Sequence, residues 1–228
     1  MRVVTTCNKQ GLEDYGYRWL ESRKNWPKAD FQFYTEGFEV DCPGKDFKDL
    51  PDFSAWKLKH ARYRAPSWRY EVVRYAHKVF AAIDALYDYK GLGVWLDADC
   101  VTYKKIPKGF LEKKLDGAYI AHYGRAGMNT ETGFWMVDCS HPLHQKFLDT
   151  WKSLYLEDRF KGLSAWTDCQ SIDAAIRLTG VPTTNLSGEF VKDMHPMAKT
   201  ELGRYIDHCK GPRKALGRSP ENRFRGAA

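Results

Sequence analysis

Short apolar runs alternate along the chain with longer segments whose apolar residues recur every three or four positions. The short runs predict strands at residues 3–6, 31–35, 94–96, 117–121 and 133–137. The longer segments predict helices through 15–22, from Ser67 to about 86, from Pro142 through 155, and at 168–178. A polar loop is expected at 37–53, and an irregular tail after Thr183 is expected to pack over the open end of the sheet. Strands alternating with helices indicate an α/β fold with a mostly parallel central sheet.

Size and composition favour one folded domain covering residues 1–228. The chain is 43% hydrophobic and 14% aromatic, which excludes a disordered protein. No apolar run approaches the roughly 18–20 residues that cross a bilayer, so no membrane span is expected. The first apolar residues are too few for a signal peptide. The six cysteines include no Cys-x-x-Cys pair, so we expect reduced thiols in a cytoplasmic protein.

The net charge of +7 is concentrated in two segments. Residues 56–78 hold seven basic residues against one acidic residue, and residues 192–225 hold nine against four. Such clusters predict an anionic ligand or surface, although solvated helix faces carry similar charge.

Two carboxylates, Asp97 and Asp99, follow the apolar strand at 94–96. Side chains alternate along an extended backbone, so the two can point the same way and would repel each other unless a cation lies between them. Oxygen ligands of this kind suit Mg²⁺ or Mn²⁺. We therefore predict a divalent metal site at this strand end, with solvated turn residues as the alternative.

A second motif, His-x-x-Gly-x-x-Lys, runs from His208 through Gly211 to Lys214. An imidazole can ligate a metal, glycine lets the backbone approach a phosphate, and lysine neutralises phosphate charge. A single histidine before basic residues is more commonly a surface residue. Together with Asp97 and Asp99, however, the motif describes a metal held between the protein and a diphosphate.

The combination of a strand-end Asp-x-Asp and a late His-x-x-Gly-x-x-Lys resembles the GT-A glycosyltransferases, and among them enzymes similar to glycogenin and the lipopolysaccharide galactosyltransferases. The stretch 69–75 also resembles the helix before their metal motif. The resemblance implies metal-dependent transfer of a hexose from a nucleoside-diphosphate sugar, usually a UDP-sugar, with Mn²⁺ or Mg²⁺. It divides the domain into a donor-nucleotide half at 1–100, an acceptor half at 101–190 and a tail at 191–228 that closes over the diphosphate.

Carried over residue by residue, the resemblance assigns the metal to Asp97, Asp99 and His208, and the diphosphate to Gly211 and Lys214. Further donor contacts are implied at the end of the first strand and on the helix before the metal motif, namely at Thr5, Thr6, Cys7, Asn8, Arg74 and Lys78, with Asp97 also reaching the donor. For Arg74 and Lys78 an exposed helix stripe is the alternative.

The resemblance further implies catalytic or sugar-binding roles for Glu131, Asp168 and Gln170. Asp168 also suits a helix N-cap. Two departures from the family pattern are Glu131-Thr132-Gly133 in place of Asn-Ser-Gly, and Ala215-Leu216 in place of Pro-Trp. Relatives of this kind retain anomeric configuration, so retention is favoured.

The acceptor stays open between a glycan or lipopolysaccharide and a hydroxymethylated base in DNA, since aromatic residues interleave the basic segment 56–78. Two other classes compete with the transferase. One is a different metal-dependent phosphate enzyme, either a nuclease or a nucleotidyltransferase. The other is a non-catalytic nucleic-acid-binding module in which the carboxylates are structural.

Overall fold

A mixed sheet forms the centre of the computed structural model, which describes residues 1–188 and 195–225. Within these residues the sheet has the strand order β2-β1-β3-β6-β5-β7, and a separate pair is formed by β4 and β8. The strands are β1 (Arg2–Thr6), β2 (Asp30–Tyr34), β3 (Leu92–Leu96), β4 (Cys100–Thr102), β5 (Ile120–Arg125), β6 (Met128–Asp138), β7 (Thr183–Asn185) and β8 (Ile206–His208).

Strand direction follows the prediction of a mostly parallel α/β sheet, which is confirmed. β1 pairs in parallel with both β2 and β3, and β5 pairs in parallel with β7. Only β6 runs against its neighbours β3 and β5 in this sheet of the described chain. Trp95 of β3 lies opposite Trp135 of β6, and their rings stack with centroids 6.2 Å apart.

Helices cover both faces of the sheet. They are α1 (Lys9–Gly11), α2 (Tyr17–Ser22), α3 (Pro51–His60), α4 (Val72–Leu86), α5 (Phe110–Leu115), α6 (His144–Leu156), α7 (Asp168–Thr179) and α8 (Arg213–Leu216). A π-helical turn, Leu12–Gly16, joins α1 to α2, and short 3₁₀ helices occupy Arg23–Asn25, Phe47–Asp49, Trp68–Tyr70, Arg159–Gly162, Pro196–Lys199, Leu202–Arg204 and Arg223–Arg225. None of the described helices is long and apolar enough to cross a bilayer.

The two faces of the sheet carry separate cores because neighbouring strand residues point to opposite sides. Val4 and Trp95 pack with α3, α4, α6 and α7 on one face. Val3 and Val94 pack on the other face with residues of the α1–α2 segment, α5 and the later 3₁₀ turns. All five residues of β3 are buried, as expected for a strand covered on both sides.

Several predicted boundaries were wrong, including the start of α4, which is Val72 where the helix was expected from Ser67. Residues 51–60 form helix α3, where the loop was expected to continue to 53; Pro51 begins the helix and Phe53 and Trp56 bury its apolar face. β5 begins at Ile120 because a turn with Gly117 at φ +73° precedes it. β6 extends over eleven residues because its polar first half still pairs with β5.

The tail pairs with β4, the short strand that follows β3, and in this antiparallel pair His208 of β8 lies opposite Cys100 of β4. The backbone N–H of Cys209 donates to the carbonyl of Asp99 over 3.0 Å. This pairing brings the late histidine beside the strand-end carboxylates. The parts of the predicted tail and basic segment at 189–194 and 226–228 lie outside the described residues.

Candidate active site

A cleft of about 1320 Å³ opens where β1 and β3 end, at the carboxyl edge of the parallel strands. Such edges are the usual ligand sites of open α/β sheets. Most of the predicted site residues line it, namely Thr6, Cys7, Asn8, Arg74, Lys78, Asp97, Asp99, Glu131, Asp168, Gln170, His208, Gly211 and Lys214. Thr5 does not line it, because its side chain lies fully buried within the sheet.

Asp99 and His208 face each other at the base of this cleft. Asp99 Oδ1 lies 3.1 Å from His208 Nε2, and Lys214 Nζ lies 3.1 Å from Asp99 Oδ2. The two metal-ligand candidates are 9% and 1% exposed. The turn between β3 and β4 holds the carboxylate in place, since the N–H of Asp97 donates to Gly133 and the N–H of Cys100 donates to Asp97.

The pair fits a divalent ion. Asp99 Oδ1 is buried and accepts no well-aligned hydrogen bond among the described residues, although His208 Nε2 lies 3.1 Å from it. Two adjacent ligands, each about 2.1 Å from an ion, lie about 3 Å apart, which matches the separation from His208 Nε2. Cys100 Sγ belongs to the same group of possible ligand atoms, but burial raises the pKa of its thiol well above the usual value. A neutral thiol is a poor ligand for Mg²⁺ or Mn²⁺, so oxygen and imidazole ligands are favoured.

Asp97 has different neighbours from Asp99. Its Oδ1 accepts a hydrogen bond from Trp95 Nε1 at 2.6 Å and lies 2.7 Å from Lys78 Nζ. Asp97 belongs to neither group of possible metal ligands found among the described residues. Its other carboxylate oxygen is the one that would reach an ion, and its ligation stays a prediction.

Lys78 joins Asp97 to Asp168. Its Nζ lies 2.7 Å from Asp168 Oδ2 as well and donates to the carbonyl of Thr132 over 3.1 Å. Burial disfavours the ammonium, but the two carboxylates outweigh burial and raise the pKa of Lys78. Burial likewise opposes ionisation of Asp168, yet Lys78 and the Thr132 hydroxyl lower its pKa. Lys78 is therefore a buried partner of two carboxylates, and the alternative of an exposed stripe is wrong for it.

Asp168 is the first residue of α7, and Thr167 is the N-cap, whose side chain accepts from the N–H of Gln170. The N-cap alternative for Asp168 is therefore wrong. Gln170 exchanges hydrogen bonds with Ser164 at the cleft wall. Arg74 pairs with Glu71 on the helix surface, in agreement with its predicted exposed alternative, although it also lines the cleft.

Glu131 is buried beside two histidines and a lysine. Its Oε1 lies 3.8 Å from His208 Nδ1 and 3.9 Å from His195 Nε2, while Lys210 Nζ lies 3.0 Å from Oε2. Burial alone would raise its pKa, but His195, His208 and Lys210 outweigh burial and hold the pKa of Glu131 well below its usual value. His195 could not be predicted from the sequence because no motif surrounds it. Lys210 could not be predicted because it occupies an unspecified position of the His-x-x-Gly-x-x-Lys pattern.

Gly133 leaves room for the imidazole. A Cβ built there would lie 2.2 Å from His208 Cε1 and 2.4 Å from Nδ1. Any side chain at this position would push His208 away from Asp99. The glycine of the Glu-Thr-Gly segment therefore has a direct steric role at the site.

Comparison with known proteins gives a fold. No family profile matches the sequence, and no curated protein matches it. Among solved structures, galactosyltransferase LgtC, crystallised with donor and acceptor sugar analogues, matches with a TM-score of 0.59 and 11% identity over 99% of this chain and 94% of that one. This chain has the GT-A glycosyltransferase fold.

Two further structures share this fold. Mouse xyloside xylosyltransferase 1 matches with a TM-score of 0.51 and 12% identity, over 82% of this chain and 84% of that one. The bifunctional glycosyltransferase WbbM matches with a TM-score of 0.52 and 11% identity, over 95% of this chain and 43% of that one. At such identities the likeness establishes the fold alone.

Proposed function

We propose that this protein is a metal-dependent glycosyltransferase that moves a hexose from a nucleoside-diphosphate sugar, UDP-hexose by preference, to an acceptor hydroxyl. The observation that carries the proposal is the pairing of buried Asp99 Oδ1 with His208 Nε2 at 3.1 Å, beside Lys214, at the base of a large cleft. The shared fold with galactosyl- and xylosyltransferases supports the same reaction class.

A bound Mn²⁺ or Mg²⁺ would supply electrostatic stabilisation of the leaving diphosphate. Lys214 adds a cation at the same place, since it lies on the cleft side of Asp99. Gly211 has open space around its Cα and a φ of +63°, so its backbone can approach a phosphate closely. Thr6, the last residue of β1, and Cys7 and Asn8, which follow it, line the cleft, and we assign the uridine to this edge.

The bond between the anomeric carbon and the diphosphate oxygen breaks as the acceptor oxygen bonds to that carbon. In a retaining reaction the leaving phosphate can take the acceptor proton, so no side-chain base is required. Asp168 is already neutralised by Lys78 and hydrogen-bonded to Thr132, an arrangement better suited to holding sugar hydroxyls than to removing a proton. Glu131, the other predicted carboxylate of this region, is likewise paired with a cation, Lys210, and is equally unsuited to removing a proton.

The acceptor proposed first is a glycan or lipopolysaccharide sugar. Trp68, 58% exposed, stands at the cleft rim beside Arg69, which suits stacking against a sugar ring with an anionic group near it. A hydroxymethylated base in DNA is the second acceptor candidate, supported by the basic charge of residues 56–78. The cytoplasmic location indicated by the six cysteines remains part of the proposal.

The test is donor hydrolysis without acceptor. The full chain is incubated with UDP-glucose, UDP-galactose and GDP-mannose, with Mn²⁺ or with chelator, and release of nucleoside diphosphate is measured. We expect release from at least one donor only with the ion, and a loss of at least about 100-fold in Asp99→Asn and His208→Ala. Asp88→Asn, an exposed aspartate outside the cleft, is the matched control and should keep full activity.

The competing classes give different products. A nuclease would cleave a phosphodiester, and a nucleotidyltransferase would release pyrophosphate from a nucleoside triphosphate, both without consuming a sugar. A non-catalytic nucleic-acid-binding module would bind DNA equally well after Asp99→Asn and without any ion. The proposal is overturned by any of these results when none of the three donors releases its sugar.

A further inference from the structure

A second group of buried ligand atoms lies on the other side of the His208 imidazole from Asp99. Glu131 Oε1, His195 Nε2 and His208 Nδ1 lie within 4.8 Å of one another, and the carboxylate oxygen is 3.8 and 3.9 Å from the two nitrogens. The two imidazole rings meet edge to face, with centroids 4.5 Å apart. All three side chains are more than nine-tenths buried.

Two of these atoms have no hydrogen-bond partner. His195 Nε2 and His208 Nδ1 are both buried and unpaired within the described chain. Buried polar atoms are normally satisfied, so two orphaned nitrogens aimed at one carboxylate oxygen indicate a missing partner between them. Lys210 neutralises the other oxygen, Oε2, whereas Oε1 faces the imidazoles and accepts one hydrogen bond, from the N–H of Gly133 over 3.3 Å.

The spacing suits a metal ion. Ligand atoms around one tetrahedral Zn²⁺ lie about 3.4 Å apart, a few tenths of an ångström less than the two separations of 3.8 and 3.9 Å from Glu131 Oε1. Ligation through His195 Nε2 also requires His195 Nδ1 to give up the hydrogen bond that it accepts from the N–H of Met197 over 3.3 Å. Two imidazoles and one carboxylate favour a transition ion such as Zn²⁺ over Mg²⁺ or Ca²⁺, which prefer all-oxygen shells. A water molecule is the competing occupant, since it also bridges polar atoms at such distances.

We propose that Glu131, His195 and His208 form a second metal site, selective for Zn²⁺ and similar transition ions, which shares its histidine with the site at Asp99. The inference concerns this chain's own departure from the family pattern, because the carboxylate of Glu131 stands where an amide is usual. His195 is the N-cap of the 3₁₀ helix Pro196–Lys199 and belongs to neither motif.

The shared imidazole makes the two sites alternatives. A neutral imidazole carries one proton and offers one nitrogen lone pair. When Nδ1 binds Zn²⁺, the proton lies on Nε2, which then donates toward Asp99 Oδ1 over the 3.1 Å separation and cannot ligate an ion there. When Nε2 binds an ion beside Asp99, the proton lies on Nδ1 and faces Glu131. Zn²⁺ at the second site should therefore inhibit the proposed transferase activity, and this consequence depends on the proposed function.

Metal binding is tested first, without any activity measurement. The purified full chain is stripped with chelator and titrated with Co²⁺, whose visible absorption reports imidazole ligation, and then with Zn²⁺ in the presence of excess Mg²⁺. We expect one equivalent bound with cobalt bands that Zn²⁺ abolishes. His195→Ala should weaken binding by more than the roughly 10–100-fold typical of a lost outer-shell partner. His141→Ala, a histidine outside the group, is the control and should bind as the native chain does.

Glu131→Gln gives a second route if His195→Ala lowers the melting temperature, and it should also abolish the cobalt bands. The proposal is overturned if Zn²⁺ binds equally well in native protein, His195→Ala and Glu131→Gln, or if zinc-soaked crystals hold only a water between the three side chains.

Inhibition is tested second. Inhibition is measured as the rate with micromolar Zn²⁺ divided by the rate without it, for each protein separately. This ratio should fall well below one for Mn²⁺-dependent donor hydrolysis by the native chain and stay near one for His195→Ala, whatever the basal rate of the variant. Zinc binding without any donor hydrolysis would refute the proposed function and leave the second site standing. Equal inhibition of both proteins would refute the alternation between the two sites.

Discussion

At the scale of single residues, the repulsion between Asp97 and Asp99 is offset because each carboxylate lies beside different basic side chains. Asp97 meets Lys78, whereas Asp99 meets Lys214 and His208. The two carboxylates thus differ: of the two residues in the described chain, only Asp99 has a buried oxygen, Oδ1, that accepts no well-aligned hydrogen bond. The sequence predicted a shared metal for both, and it contained no signal that α4 would deliver a lysine to Asp97.

Lys78→Met should destabilise the fold strongly. The substitution leaves the buried carboxylate of Asp168 without its cation and removes a partner of the half-buried Asp97. Breaking a buried pair costs about 3–5 kcal/mol, so we expect most of the loss to come from Asp168. Urea denaturation should show this loss in the free energy of unfolding. Adding Asp168→Asn to Lys78→Met should restore part of the stability, because one uncompensated charge disappears. Equal stability of Lys78→Met and native protein would contradict the buried pair.

Gly133→Ala should weaken metal binding rather than folding alone. The added methyl group would lie 2.2 Å from His208 Cε1 and turn the imidazole away from Asp99. We expect Mn²⁺ affinity to fall at least tenfold in a calorimetric titration, by analogy with the loss of a group that orients a ligand. Gly162→Ala is the matched control, since nothing lies within 4 Å of its Cβ position. Unchanged Mn²⁺ affinity in Gly133→Ala would show that His208 does not hold the ion.

At the scale of elements, the periodicity of apolar residues predicted the existence and type of β1, β3, α4 and α7 correctly. Each of these elements has one clear apolar pattern in its own sequence. Helix α3 was missed because Pro51, which begins it, reads as part of the preceding polar loop. The pairing of β4 with β8 was also beyond the sequence: each strand has only three residues, too few to show a period. That pairing is nevertheless what aligns His208 with the metal motif.

The end of α6 is tied to α3 through Asp158, and this contact predicts a pH dependence. Asp158 has a φ of +56° and lies near Lys59, His60 and Lys161. Burial opposes its ionisation, but the two lysines and His60 lower its pKa from 3.8 to about 2. A lowered carboxyl pKa contributes stability that is complete above about pH 4 and is lost as the pH falls through about 2.

Asp158→Asn should therefore lower the urea midpoint at pH 7 and have a progressively smaller effect as the pH falls from 4 toward 2. Asparagine tolerates the left-handed backbone, so the substitution removes the charge without new strain. Asp116→Asn, at the other residue with positive φ outside glycine in the described chain, controls for the backbone effect. A midpoint difference that does not change with pH would assign the effect to packing.

At the scale of the whole molecule, basic residues of both segments, among them Arg69, Lys78, Lys210 and Lys214, line one cleft, so part of the net charge of +7 is placed where an anionic ligand would be attracted. The fold class could be predicted because alternating strands and helices are a local sequence pattern, and the two sequence motifs correctly indicated that Asp99 and His208 would lie together. That they hold a metal stays a prediction. The meeting of Glu131, His195 and His208 could not be predicted, because three distant segments converge there and only the packed chain brings them together.

Salt dependence separates the two acceptor candidates. If the acceptor is DNA, binding of a fluorescent duplex should weaken steeply between about 50 and 200 mM salt, as counterions compete for the basic residues. If the acceptor is a glycan, the duplex should show no binding that Arg69→Ala changes. Arg177→Ala, on α7 and outside the cleft lining, serves as the charge-matched control.

In the proposed function, Asp99 and His208 ligate one divalent ion, and that ion binds the nucleoside diphosphate. Anomalous diffraction at the manganese edge, from crystals grown with Mn²⁺ and UDP, measures this directly. We expect a single strong peak within about 2.3 Å of both Asp99 Oδ1 and His208 Nε2, in contact with the diphosphate. UDP bound in the cleft with no manganese peak between those two atoms would contradict it.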